Sequence, residues 1–294
     1  MTLTTRDTLT ALLVAAIWGL NFVIIKVGVE SVPPLLLTGL RFLFAALPAV
    51  FLVPRPRAGW ASLIGFGLTL GVIKFGLLFT AIHAGMPAGL SSLALQLQAF
   101  FTILFAALLF AERPLFKQIL GGAIAFAGIA IIATERGNAP TGPLAMVVLA
   151  AAFWGVANLI AKRSGEMNML SFVVWASLVP PLPLFALSFL LEDRAAITAF
   201  LAAPSWLSIG AVAYLAYPTT LLAFALWNRL LSRYPAATVA PFSLLVPIFG
   251  LGSASLLLGE PLTLIEVAGS ALVFTGLVVN VFGLPARIGA PKAG

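Results

Sequence analysis

Ala16-Ile17-Trp18-Gly19-Leu20-Asn21 and Ala152-Phe153-Trp154-Gly155-Val156-Ala157-Asn158 are two versions of one phrase, 136 positions apart. Each sits in the middle of a long apolar run, which places each Trp near the mid-depth of a bilayer-spanning helix. Tryptophan ordinarily collects at the membrane–water interface. Two at mid-depth, in equivalent places, imply something polar between them and a chain built by duplication.

Composition agrees with a membrane setting. Hydrophobic residues fill 62% of the 294 positions and charged residues 9%, with a mean hydropathy of +1.14. A soluble domain of this length has no core able to hide that much apolar surface. Cutting at charges, prolines and polar turns leaves ten stretches of spanning length, at about 8–28, 34–53, 62–82, 87–110, 115–134, 143–163, 169–190, 206–228, 235–258 and 262–283. They are too long and too uniformly apolar for barrel strands, which alternate over roughly ten residues. The expected fold class is an all-α integral membrane bundle of ten transmembrane helices. The loops are short, so no attached soluble domain is expected. The first stretch is full length without a small-residue cleavage pattern, so it reads as a span rather than a signal peptide. With no cysteine, disulfides, thiolate metal sites and thiol nucleophiles are excluded. The net charge of +7 does not read as nucleic-acid binding, because the basic residues are scattered over loops with no aromatic stacking platform.

Ten spans put both termini on one side. With that side cytoplasmic, Arg6, Arg55, Arg57, Arg113, Lys117, Lys162, Arg163, Arg229, Arg233, Arg287 and Lys292 fall inside. Only Lys26, Arg136 and Arg194 fall outside, while Arg41 and Lys74 lie within spans. Eleven against three is the positive-inside pattern. The halves, taken as 1–137 and 138–294, align further: Pro87-Ala88, Glu112, Gly121, Phe126 and Gly128 match Pro235-Ala236, Glu260, Gly269, Phe274 and Gly276 at a constant offset of 148. A five-helix repeat is odd-numbered, so the second copy enters the membrane from the opposite side. Charges have diverged to suit: Arg113 and Lys117 correspond to Pro261 and Ile265, whereas Ala81 and Gly85 correspond to Arg229 and Arg233. Two inverted five-helix repeats with a site near the midplane form an alternating-access architecture.

A Trp-Gly-x-Asn first helix, an Arg in the second (Leu40-Arg41-Phe42) and a Pro-Ala start to the fourth resemble the drug/metabolite transporter superfamily. The acidic turn Ala111-Glu112-Arg113-Pro114 and the glycine-spaced fifth helix fit as well. Over nearly its whole length the chain is similar to EamA-type ten-helix transporters, and within them to bacterial inner-membrane exporters of aromatic and other neutral amino acids. The resemblance implies that helices 1, 3, 4, 6, 8 and 9 line the cavity, with 5 and 10 peripheral. Two departures stand out. The second repeat has Trp175 and Ser177 near the place of Arg41, and the first has Ala-Glu where the second has Gly259-Glu260.

Polar residues at membrane depth carry the candidate site, and each has a structural reading beside the functional one. Lys74 lies near the middle of the third helix, where an ammonium costs about 2.5–3.5 kcal/mol on insertion scales. No Asp or Glu falls in a span core to pair with it. It reads as a cavity-facing anchor for a substrate carboxylate, or as a lysine held by backbone carbonyls or a Tyr. Its counterpart near Leu222 is apolar, an asymmetry that favours a ligand. Trp18 with Asn21, and Trp154 with Asn158, share helix faces at three- and four-residue spacing. They read as an indole wall with amide hydrogen bonds, or as packing Trp and interhelical polar contacts. Gln96 and Gln98, two apart, point to different faces. Tyr214 and Tyr217 cluster with Pro218, Thr219 and Thr220 in the eighth helix, where Pro218 frees a carbonyl; Pro241 and Pro247 do the same in the ninth. Arg41 reads as snorkelling or binding carbonyls. His83, the only histidine, is a gate or proton site or simply a surface residue. Lys26 and Lys162 read as interfacial anchors. Gly67-x3-Gly71 and Gly85-x3-Gly89 mark close-packing faces rather than an oligomer, so a monomer or weak homo-oligomer is expected. Pro33-Pro34 and Gly283 are turn chemistry.

Membrane proteases and phosphatases need paired intramembrane Asp, a His-Glu metal helix or a Ser-His pair, none of which one histidine and carboxylate-free span cores supply. A phosphate-cradling Gly-Lys-Ser/Thr loop is also absent. No catalytic residue, metal or cofactor is expected. The expected function is export of neutral, chiefly aromatic, amino acids across a bacterial inner membrane by alternating access. Export of other small metabolites or drugs, or a non-transport membrane role, is the alternative.

Overall fold

In a computed structural model, residues 3–135, 141–165 and 168–282 are described. Arg136, Gly283, Arg287 and Lys292, assigned above by topology or turn chemistry, lie outside the described residues. Among the described residues, nine helices are long and apolar enough to cross a membrane: α1 (Thr5–Val29), α2 (Pro34–Phe51), α3 (Trp60–His83), α4 (Ala88–Phe110), α5 (Phe116–Thr134), α6 (Thr141–Arg163), α8 (Trp206–Arg233), α9 (Ala240–Leu258) and α10 (Leu264–Phe282). The tenth span, α7, is not the continuous helix expected over 169–190. It consists of Met169–Ala176 and Pro181–Leu191, bent by 40°. Pro180 and Pro181 lack the N–H groups a continuing helix needs, and their rings obstruct the preceding turn. A short helix, Arg194–Ala202, links α7 to α8.

Packing follows a two-fold pattern. The α1–α9 contact is matched by α6–α4, α3–α6 by α8–α1, and α2–α8 by α7–α3, while α2–α7 and α5–α10 pair a helix with its own copy. The glycines of the Trp-Gly pairs are crossing points. A Cβ on Gly19 would strike Phe249 and come 2.8 Å from the Gly250 nitrogen. One on Gly155 would lie 3.0 Å from both the Phe101 Cβ and the Thr102 nitrogen. Phe249 and Gly250 occupy the places of Phe101 and Thr102 at the 148-residue offset, so both repeats bury the same contact. In α5 and α10, Gly121 faces Gly276 and Gly128 faces Gly269, with no room for a Cβ at any of the four. Small residues let helix backbones approach closely enough for dispersion to drive association in lipid.

Gly67 and Gly71 admit the α7 bend, since Cβ atoms there would meet Val179 and Pro180. Gly85 departs from the expected packing role: it turns the chain between α3 and α4 at φ +101°, with nothing near its Cβ position. Gly89 does pack, against Leu251 and Ala254.

The helices are irregular at equivalent depths. Wide π-type turns occupy Gly67–Lys74 in α3 and Tyr217–Leu222 in α8, both ending at matched positions. Tight 3₁₀ turns follow at Leu95–Leu97 in α4 and Ala240–Leu245 in α9. Only the α8 and α9 irregularities contain proline. Such mid-helix departures recur at functional sites because they free or redirect backbone groups.

Candidate functional site

Each paired Trp meets the wide turn of the other repeat. Trp18 Nε1 donates to the Thr219 carbonyl in α8 at 3.1 Å. That oxygen is accessible because the Ala223 N–H instead reaches the Pro218 carbonyl, five residues back. The Trp18 ring also packs against Phe224 and Trp227, with centroids 5.4 and 5.3 Å away. Tyr214 donates its hydroxyl to the Ile17 carbonyl at 3.1 Å, tying the same two helices. On the other side of the pseudo-two-fold axis Trp154 meets Lys74, whose Nζ lies 4.4 Å from the indole centre and 3.2 Å from the Phe75 ring. One Trp finds a backbone carbonyl and its copy finds an ammonium.

Lys74 is 2% exposed, and among the described residues no hydrogen bond or ion pair reaches its ammonium. Cation–π contact is its compensation, worth about 2 kcal/mol at a desolvated site. Arg41, 3% exposed, joins it. The expectation that Arg41 snorkels or binds carbonyls is corrected: it stays buried and faces side chains. Its guanidinium donates to Asn21 Oδ1 at 3.5 Å and Thr220 Oγ1 at 3.4 Å and lies 4.1 Å from the Phe75 ring centre. Its Nε has no partner. Asn21 therefore belongs to the Arg41 cluster rather than to an indole wall with Trp18.

One turn beyond Trp154, Asn158 Nδ2 donates to Gln98 Oε1 at 2.7 Å and Thr102 Oγ1 at 3.0 Å, joining α6 to α4. Gln96 turns the other way and donates to the Ser243 carbonyl of α9 at 3.3 Å. Tyr217 stands apart from Tyr214. It is 41% exposed and lines an open lateral cavity of about 490 Å³ with Ala49, Leu52, Val53, Leu170 and Pro218. His83 Nδ1 lies 2.8 Å from the Val29 carbonyl and binds the end of α3 to that of α1.

The two ends of the bundle differ. The far end carries the last turns of α1 and α3 and the first turns of α2 and α4. Helix N-termini present unpaired N–H groups and a positive dipole end, so carboxylates settle there. Glu260, in the α9–α10 turn, accepts from the Ala88 and Gly89 N–H groups of α4 at 2.8 and 3.1 Å. Glu192, after α7, accepts from Leu35 and Leu36 of α2 at 2.6 and 3.2 Å. The repeat copy of Glu260 is Glu112, at the near end, and the copies of Ala88 and Gly89 are Ala236 and Ala237. Glu112 pairs with Lys162 at 2.6 Å. Lys26 likewise lies 3.9 Å from Glu30. α1 packs on the end of α3 and the start of α4. The far end is latched by Glu260 and Glu192, and the near end is held by the Glu112–Lys162 pair and by Asp7, which accepts from Tyr234 at 2.8 Å and lies 3.7 Å from Arg233.

The EamA-like transporter family matches this chain twice, over residues 7–134 and 142–282. The chain belongs to that family and is a multi-pass membrane transporter. A Salmonella typhimurium protein described as a "Probable amino-acid metabolite efflux pump" is 45% identical over 98% of this chain and 99% of its own. An Escherichia coli protein of the same description is 44% identical over 95% of this chain and 96% of its own. A crystal structure sharing 18% identity superposes with a TM-score of 0.61, covering 94% of this chain and 97% of that one, and has the same fold.

Proposed function

We propose that this transporter exports amino acids with uncharged, chiefly aromatic, side chains, and their small derivatives, by alternating access across a bacterial inner membrane. Both termini are placed in the cytoplasm, and the two repeats, 1–137 and 138–294, act as the moving units. The observation that carries the reading is Lys74, a buried ammonium stacked on Trp154 and Phe75 with no carboxylate beside it. A substrate carboxylate supplies the missing partner, and the rings give an apolar side chain a surface to bury. The names of the Salmonella and Escherichia relatives point to the same substrate class. A pump for cationic drugs would need a carboxylate beside its cavity; the acidic side chains described instead occupy helix ends.

Alternating access is supported by the twofold family match and by the helix contacts that pair off between the repeats. With the termini inside, the far end, where Glu260 and Glu192 cap α4 and α2, faces the periplasm. Opening of the far end would release Glu260 from α4 and Glu192 from α2. Trp18, Gln96, Gln98, Asn158 and Tyr214 would then serve as hinge contacts around the Lys74–Trp154 centre, Asn21 would hold Arg41 beside it, Tyr217 would face the lateral cavity, and His83 would stand at the far gate.

The test is efflux from proteoliposomes preloaded with labelled phenylalanine, leucine or lysine, with and without a pH gradient. Phenylalanine and leucine leave faster than from protein-free vesicles, and lysine does not. Flux unaffected by the gradient marks a facilitator, and flux driven by it marks proton exchange. No protein-dependent flux of any amino acid overturns the reading.

A further inference from the structure

Two buried cations, not one, share this centre. Lys74 Nζ lies 3.2 Å and the Arg41 guanidinium carbon 4.1 Å from the same Phe75 ring centre, so their charges are separated by at most the 7.3 Å those distances give end to end. Arginine keeps its charge at any physiological pH. The two hydrogen bonds of Arg41, 3.5 and 3.4 Å long, are weak ones, and its Nε is buried without a partner.

Nothing acidic neutralises the pair among the described residues. Asp7 is held by Thr4, Tyr234 and Arg233. Glu30 lies beside Lys26, Glu112 pairs with Lys162, and Glu192 and Glu260 cap α2 and α4. Asp193 caps the short linking helix, and Glu266 bonds with Thr263 where α10 begins. What surrounds the cations is aromatic or neutral: Phe42, Phe75, Phe79, Trp154, Asn21 and Thr220.

We infer that the site selects substrates of net negative charge: amino-acid derivatives with a free carboxylate and an uncharged nitrogen, the N-acyl amino acids. This rests on the exporter reading and narrows it. A free amino acid brings its ammonium within a few ångströms of its carboxylate, and so beside two cations, in a medium where like charges repel far more strongly than in water. Acylation removes that charge, leaves the carboxylate for Lys74 and Arg41, and adds apolar surface for the rings.

Matched pairs decide it. Efflux of phenylalanine and N-acetylphenylalanine, and of leucine and N-acetylleucine, is measured in the same proteoliposomes against protein-free vesicles. The acetylated member of each pair has a KM lower by about tenfold or more, and its exit leaves the vesicles positive inside, as read by a potential-sensitive dye. In Arg41→Gln the KM ratio narrows; the wild-type ratio decides the matter even if that variant does not fold. Efflux of free phenylalanine and leucine with an equal or lower KM than their acetyl forms overturns this inference and leaves the exporter reading standing. Transport of neither member of either pair overturns both.

Discussion

Replacing Lys74 by methionine distinguishes an ammonium kept for a substrate from one kept for the fold. Methionine fills nearly the same volume, adapts its shape readily and still touches the Phe75 and Trp154 rings. What disappears is a buried charge with no ionic partner. A lysine at mid-helix depth costs about 2.5–3.5 kcal/mol on insertion scales. Cation–π contact returns about 2 kcal/mol of that at a desolvated site. Lys74→Met is therefore expected to stabilise the empty transporter by about 1 kcal/mol, a rise in Tm of roughly 2–4 °C for a chain of this size. Transport moves the other way. A hydrogen bond to a charged group contributes about 1.5–3 kcal/mol, so kcat/KM for a carboxylate substrate falls by roughly 10- to 150-fold. The assay is thermal unfolding in detergent alongside proteoliposome efflux at matched protein content. A variant that melts lower and transports at the wild-type rate refutes the reasoning, because it describes a structural lysine.

Other substitutions probe the frame. Gly128→Leu forces a side chain to within 2.5 Å of the Gly269 carbonyl, and should abolish folded yield in size-exclusion chromatography. Gly252→Ala, with nothing within 4 Å of the new Cβ, should raise stability by about 0.5–1 kcal/mol through helix propensity alone, read as a higher Tm. Trp18→Phe removes the 3.1 Å bond to Thr219 and should lower stability by about 1 kcal/mol, again read by thermal unfolding. Glu260→Gln weakens the cap on α4, whereas Glu112→Gln leaves the far-end latch intact. Thiol labelling of a cysteine placed at Ala84 should therefore quicken in the first variant and not in the second.

Much of the architecture was legible because duplication leaves a record in residue positions. Trp18 and Trp154, the 148-residue offset and the glycines of α5 and α10 predicted a repeat, and contacts pair off accordingly. Lys74 stood out because a charge at that depth has few reasons to exist. The partners were harder to read. That Lys74 stacks on Trp154, or that Arg41 reaches Asn21 and Thr220, depends on helices far apart in sequence and on which way each face turns. The wide turn in α3 contains no proline, so local sequence gave no warning of it, whereas Pro180-Pro181 was a usable sign of the α7 bend. Gly85 followed the small-residue spacing of a packing face, yet it serves a turn, because spacing does not distinguish a helix end from a helix middle. Glu112 and Glu260 matched in sequence as copies. The repeat alone does not say that Glu260 caps α4 or that Glu112 meets Lys162.

Opposite motion of the two ends is the central claim, and the cysteine-free chain suits a direct measurement. Spin labels on cysteines at Ala84 and Leu264 span the far end, and labels at Ser232 and Phe116, their repeat copies, span the near end; all four positions are exposed. Distances measured in lipid with and without N-acetylphenylalanine should shift in opposite senses, the far pair lengthening in the population where the near pair shortens. Distances that stay fixed at both ends, or that change together, would contradict alternating access through this site.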